Sequence, residues 1–296
     1  MTATLSRRRD AVKSIYTVRK LLDPDEIRSL LEPDKVYAAY ALAQLEPRLF
    51  SQAEWRLATG SSGPALVLHS RGGLGRALFA QGDAGGIEAI LSLHPGPRFS
   101  FGSLRPEHRR AFDKYFVSTR PQTMLRMSVT APSLATAAGQ AVRLGGSHAA
   151  VINRLYSIEG GTTAYSPSHI AEGAYFGVFI EGSLVSIAGT HVISPTEGVA
   201  VVGNVFTHPR YRGRGLAGIA TSAATTHLLD RCPLVVLTVE SGNVPAISVY
   251  RRLGYETLCT LHETPLIRKE MTGAVSLARR LLARRRGGTG EEVVVR

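Results

Sequence analysis

Between residues 198 and 228 the chain changes character twice within a few positions, and few folds accommodate that change. Residues 198–206 form an apolar, strand-like run, and His208-Pro209 marks a turn. Arg210-Tyr211-Arg212-Gly213-Arg214-Gly215 follows as a loop with three arginines and two glycines. Leu216, Ile219, Ala220, Ala223, Ala224 and Leu228 then recur at the three-and-four spacing of one buried helix face. A strand that feeds a basic, glycine-rich loop at a helix start can hold a phosphate. The first helical N–H groups have no partner within the helix, the dipole is positive there, and glycine lets an anion approach the backbone. Two better-known phosphate loops are excluded. A Walker loop needs Lys and then Ser or Thr after its last glycine, where this chain has Leu216-Ala217, and the dinucleotide fingerprint needs a third glycine beside Gly213 and Gly215.

A second pattern stands thirty residues on. Residues 235–240, Val-Val-Leu-Thr-Val-Glu, read as a buried strand. Asn243 then suits the N-cap of a short helix, Pro245 its first turn and Gly254 its stop, with Ala246, Tyr250 and Tyr255 spaced along it. Arg-x-x-Gly-x-Gly at residues 210–215, with Asn-x-x-Ala-x-x-x-Tyr-x-x-x-Gly-aromatic at 243–255, resembles the acyl-CoA-binding signature of the GCN5-related N-acetyltransferase (GNAT) family.

That resemblance implies an α/β (α+β) fold with a mixed, mostly antiparallel sheet flanked by helices. It implies acetyl-CoA as acyl donor, no metal, and transfer to a primary amine by direct attack in a ternary complex. The backbone of Val205, Phe206 and Thr207 would pair with the pantetheine arm. Arg210, Arg212, Gly213, Arg214, Gly215, Leu216 and Ala217 would hold the diphosphate, the arginines adding mobile positive charge, and Asn243 and Tyr250 would face the cofactor. Tyr250 would protonate the departing thiolate. Many members of the family carry a glutamate on the strand before the cradle, and here Gly203 and Asn204 stand instead. The base is then Glu240 or His191, acting through water. The missing carboxylate keeps open a second reading, a non-catalytic acyl-CoA-binding regulatory protein.

At 296 residues the chain has room for two domains. We expect a basic N-terminal tail (1–10), an N-terminal α/β domain (11–130), a linker of small polar residues (131–140), the acetyltransferase domain (141–267) and a basic C-terminal tail (268–296). The first half shows two helices at 24–31 and 33–45, and strands at 55–58, 65–69 and 76–79. A helix at 87–93, a strand at 98–101, a helix after Pro106 and a strand at 124–129 follow. This copies the order of the second half and suggests a degenerate tandem copy, the other reading being an unrelated α+β domain. The counterpart loop at 81–86 has glycines but no arginine, and its Asp83 would repel a diphosphate, so no CoA binding is expected there. That half would instead wall the substrate side of the other. Residues 159–172 form a loop expected over the acceptor, with Tyr165, His169 and Glu172 as contacts. Residues 257–266 would close the second sheet.

The formal net charge is +12, of which residues 1–14 and 268–296 carry eight, so a basic nucleic-acid face is not indicated. The C-terminal tail reads either as a frayed segment or as a basic amphipathic helix facing an anionic membrane or RNA. No apolar run approaches the ~18 residues of a membrane span, and Arg7-Arg8-Arg9 is not followed by the apolar stretch of a secretory signal. Two cysteines, Cys232 and Cys259, lack partners at metal-ligand spacing and fit free thiols in a reducing cytoplasm. Neither the amine acceptor nor the choice between monomer and homodimer is written in the sequence.

Overall fold

The computed structural model describes residues 15–72, 75–160, 164–269, Leu281 and 293–295. The first half runs β1 (Tyr16–Leu21), α1 (Pro24–Leu31), α2 (Lys35–Leu42), α3 (Pro47–Phe50), β2 (Ala53–Gly60), β3 (Gly63–Ser70), β4 (Ala77–Gly82), α4 (Ala84–Leu93), β5 (Phe99–Leu104), α5 (Arg109–Tyr115), β6 (Phe116–Ser118) and β7 (Gln122–Val129). The second runs β8 (Val142–Leu144), α6 (Ala149–Ser157), α7 (Pro167–Glu172), β9 (Tyr175–Ile180), β10 (Ser183–Ser194), β11 (Val199–Thr207), α8 (Leu216–Leu229), β12 (Leu234–Glu240), α9 (Val244–Arg252) and β13 (Glu256–Arg268), with β14 (Val293–Val295) beyond.

Both halves repeat one plan. An antiparallel meander leads to a strand, a helix crossover, and a parallel partner strand, β4–α4–β5 in one half and β11–α8–β12 in the other. This is a mixed α/β fold with a mostly antiparallel sheet flanked by helices, built twice in tandem. The local cues act as the sequence suggests. Asp23 caps α1 by accepting from the Asp25 N–H, and Asn243 caps α9 by accepting from the Ala246 N–H.

One expectation is overturned. β13 does not close the second sheet: it pairs with β5 of the first half, while β7 of the first half pairs with β12 of the second. β7 and β13 pair with each other between them. The result is one sheet ordered β14-β1-β2-β3-β4-β5-β13-β7-β12-β11-β10-β9-β8, nearly symmetric about the β13–β7 seam. A strand reads locally as a strand, whereas its neighbour is a non-local choice that its own residues do not announce. The sequence reading also misses β1 and the short helix α7 inside the expected loop. Most of the C-terminal tail lies outside the described residues. Val293–Val295 is not frayed, since it pairs antiparallel with β1. The linker region is tied down as well: the Ala135 N–H donates to Leu253 O, and the Ala137 N–H to Ser222 Oγ.

Polar contacts fasten the halves on the α2 side of the sheet. Arg28 on α1 grips Glu197 with two guanidinium bonds of 2.7 and 2.9 Å, and Glu197 is 4% exposed. Ser194 Oγ donates to Glu46 Oε1 at 2.5 Å. In the N-terminal half, Asp83 caps α4 by accepting from Gly86 N–H and from Tyr16 O–H, so a carboxylate already occupies that helix start.

Two consequences are measurable. Because each half lends a strand to the other, thermal unfolding followed by calorimetry should show one transition rather than two. Arg28→Met leaves the Glu197 carboxylate buried without its charged donor, and urea denaturation should register a loss of about 2 kcal/mol.

Candidate acyl-transfer site

β11 and β12 pair in parallel from Val199↔Leu234 to Val202↔Leu237 and then part. Beyond that point Gly203 to Thr207 stay with β10, while Thr238 to Glu240 stay with β7. A wedge opens between two strands whose facing backbone groups have lost their ladder. Val205, Phe206 and Thr207 therefore line one lip.

The cradle sits at the end of that lip. Gly213 and Gly215 adopt φ of +78° and +76°, with nothing within 4 Å of a Cβ built at either. Backbone conformation, not crowding, calls for glycine there. The first intrahelical bond of α8 runs from Ile219 N–H to Gly215 O, so the N–H groups of Leu216, Ala217 and Gly218 precede the helix's own ladder. Arg210 and Arg214 are exposed beside them. Arg212 differs from expectation: its guanidinium donates to Glu159 at 2.5 Å and to Thr207 O at 3.2 Å, so it braces the loop instead of offering a mobile charge.

Tyr250 is buried and packs in one cluster with Val239 of β12, with Val205 of β11 at its margin. Burial pushes its phenol up to about 12, which keeps it protonated at neutral pH. Residues alternate along β12, so Thr238 and Glu240 face the opposite side from Val239. Tyr250 thus guards one face of the wedge.

On the other face stands His191. It is the extra residue of a bulge in β10, where Thr190 pairs with Val202 and Val192 with Val201. Such a bulge re-aims its side chain. The opposing strand is bulged too, at Asn204, whose φ is +54°. Gly203 completes the arrangement, because a Cβ there would fall inside the His191 imidazole. The ring lies over the strand position where the resembled family commonly carries a carboxylate. His191 Nε2 lies 3.2 Å from Asn204 Oδ1, and Nδ1 lies 2.6 Å from the Tyr40 hydroxyl of α2. Desolvation, with a lesser push from Arg126 and His169, holds the imidazole below its ordinary pKa despite the Asn204 bond. Neutral imidazole is the form that accepts a proton.

Asn204 is the hub of this face. Its Oδ1 also accepts from Tyr165 O–H at 2.8 Å, its Nδ2 donates to the Tyr175 oxygen at 3.2 Å, and its carbonyl accepts from Tyr156 O–H. His169 Nε2 lies 3.0 Å from the Tyr175 hydroxyl. Of the expected acceptor contacts, Tyr165 and His169 join this network, while Glu172 faces Arg48 at 3.8 Å. Glu240 is exposed at the end of β12, and its carboxylate has no hydrogen bond or ion pair among the described residues. Sequence reading misses Tyr40, Tyr156, Tyr175 and Arg126. Tyr40 meets His191 across 151 residues, so no local spacing could reveal it.

Gly203→Ala should displace the imidazole from both its partners and destabilise the fold by about 1–3 kcal/mol, read by chemical denaturation.

Residues 153–255 match the family model described as "Acetyltransferase (GNAT) family". A 97-residue stretch is 38% identical to a mycothiol acetyltransferase from Saccharomonospora viridis, covering 30% of this chain and 32% of that relative, about a third of its length. Two solved structures share the fold over most of the chain. A GCN5-related N-acetyltransferase from Kribbella flavida matches with a TM-score of 0.54 and 19% identity, covering 79% of this chain and 96% of that one. One from Sphaerobacter thermophilus matches with a TM-score of 0.54 and 16% identity, covering 87% and 98%. The wedge, the glycine cradle and the tyrosine helix all fall within residues 153–255, so the stretch that matches the GNAT family model spans this candidate site.

Proposed function

We propose that the C-terminal half transfers an acetyl group from acetyl-CoA to a primary amine, with both substrates bound together. The observation that carries this reading is the parting of β11 and β12 between a protonated tyrosine on one face and a neutral histidine on the other. The lip at Val205–Thr207 offers strand backbone to an extended amide-bearing arm. Arg210, Arg214 and the α8 N–H groups offer positive charge and donors to a diphosphate, with Gly213 and Gly215 leaving room for it. Asn243 shapes the start of the tyrosine helix. Bound acetyl-CoA would supply an activated thioester carbonyl.

The protein's own groups divide the proton work. An alkylamine is almost wholly protonated near pH 7 and attacks only as the free base. His191 is better placed than Glu240 to take that proton, since it faces the cleft and is held neutral. Tyr250 suits the opposite task of giving a proton to a thiolate. The two free thiols, Cys232 and Cys259, suit a reducing cytoplasm. The N-terminal half walls the acceptor side through α2. We favour catalysis over a purely regulatory acyl-CoA-binding role because the His191 ring fills the place left by the absent strand carboxylate.

Isothermal calorimetry should detect binding of both CoA and acetyl-CoA, and Arg210→Ala with Arg214→Ala should weaken it about tenfold. Tyr250→Phe should bind acetyl-CoA normally but release thiol at least tenfold more slowly with an amine panel. Unchanged turnover in that variant would remove Tyr250 from the chemistry. Protonation of His191 abolishes the base, so kcat at saturating amine should fall as pH drops through a pKa below the ordinary 6.5. An acidic limb above 6.5 would point to another base.

A further inference from the structure

Tyr40 belongs to the N-terminal half, outside the matched residues 153–255. Its position nevertheless completes the cleft of the other half. The bond pattern around His191 is directional. Asn204 Oδ1 can only accept, so the Nε2 facing it carries hydrogen, and Nδ1 keeps its lone pair. Nδ1 therefore accepts from Tyr40 O–H at 2.6 Å. In this orientation of the amide the same Oδ1 accepts from Tyr165 while Nδ2 donates to Tyr175. Both imidazole nitrogens are occupied, so an incoming amine meets no free ring nitrogen. What the pair still presents is the Tyr40 oxygen, which Thr238 of β12 also approaches and which keeps a lone pair beside that contact.

We infer that Tyr40 is the catalytic residue that touches the acceptor amine, relaying its proton to His191, so that both halves build one active site. This deepens the acyl-transfer reading above and rests on it. The step balances. An ammonium N–H bond breaks and leaves its electron pair on nitrogen, the pair that attacks the carbonyl. The proton joins the Tyr40 oxygen as the Tyr40 O–H bond breaks and its proton bonds to His191 Nδ1. The positive charge moves from the amine to the imidazolium, whose Nε2–H stays on Asn204 Oδ1. His191 returns the proton to water after transfer.

The surroundings of Tyr40 suit this part. The Arg126 guanidinium lies 4.8 Å from its ring centre, and Arg126 is 1% exposed, with Nε and Nη1 unpaired among the described residues. Burial raises the Tyr40 pKa, Arg126 opposes that rise, and Glu263 adds to it. Burial also raises the Glu263 carboxyl, against Arg126. The Arg126 guanidinium disfavours a cation on a nearby amine and, since it also lowers the His191 imidazole, it hastens the onward passage of the proton to water. The titratable groups facing the pair are Arg126, Glu263, His169, Tyr165 and Tyr175.

The test uses the full chain and two independent readouts. Nitrogen-15 NMR should find His191 as the Nε2–H tautomer, with its Nδ1 resonance displaced in Tyr40→Phe. Thiol release from acetyl-CoA with glucosamine, spermidine and an alanine-led peptide should fall about 100-fold at pH 7 in Tyr40→Phe. The deficit should narrow toward pH 10 as the ammonium loses its proton unaided, with acetyl-CoA affinity unchanged. The Tyr40→Phe, His191→Gln double variant should be no slower than the slower single one, because a relay is lost once. An Nδ1–H tautomer, turnover within twofold of the parent, or losses that multiply would overturn the relay while normal acetyl-CoA binding kept the parent reading. No heat with acetyl-CoA would overturn both.

Discussion

The wedge between β11 and β12 exists because two parallel strands hold together for four residue pairs and then follow different neighbours. β11 keeps to β10 through two bulges, and β12 keeps to β7, so the separation is set by hydrogen-bond loyalties on the outer sides. A ligand that supplies strand-like amides therefore meets N–H and C=O groups aligned by the sheet itself. Polar backbone left open at that place would bind such a ligand without rearrangement.

The same bulges place the side chains proposed for the chemistry. Asn204 takes a left-handed φ that only a few residue types tolerate; its side-chain amide holds His191, Tyr165 and Tyr175, while its carbonyl holds Tyr156. His191 leaves the regular alternation of β10 and turns its ring over Gly203. Irregularity in the two strands thus builds what a regular pair could not, a histidine lying across its neighbour's backbone.

The contiguous features were legible in the residues. The cradle, the tyrosine helix and most element positions follow from glycine placement, capping and periodicity, all of which act over a few residues. The features that depend on distant pairing were not. The seam of β7 with β13 needs a comparison of neighbours that Thr257–Leu266 does not encode in its own pattern. Tyr40 reads as one more aromatic on a half-buried helix beside Val36 and Tyr37, and it gains a role only when α2 is laid across β11. Arg212 looked like its fellow arginines until Glu159 came within reach. Asn204 was visible but judged by what it cannot do, accept a proton, and its capacity to orient a base required the bulge.

The crossed seam also bears on synthesis. While the ribosome is still making the second half, β5 has no neighbour on its far edge, because the strand that will cover it, β13, is among the last ordered segments to emerge. β7 waits likewise for β12. The nascent N-terminal half thus carries an open sheet edge for more than a hundred residues of elongation. An early stop or a proteolytic cut within that interval would leave not a smaller working unit but a sticky fragment, prone to recruit strands from other chains.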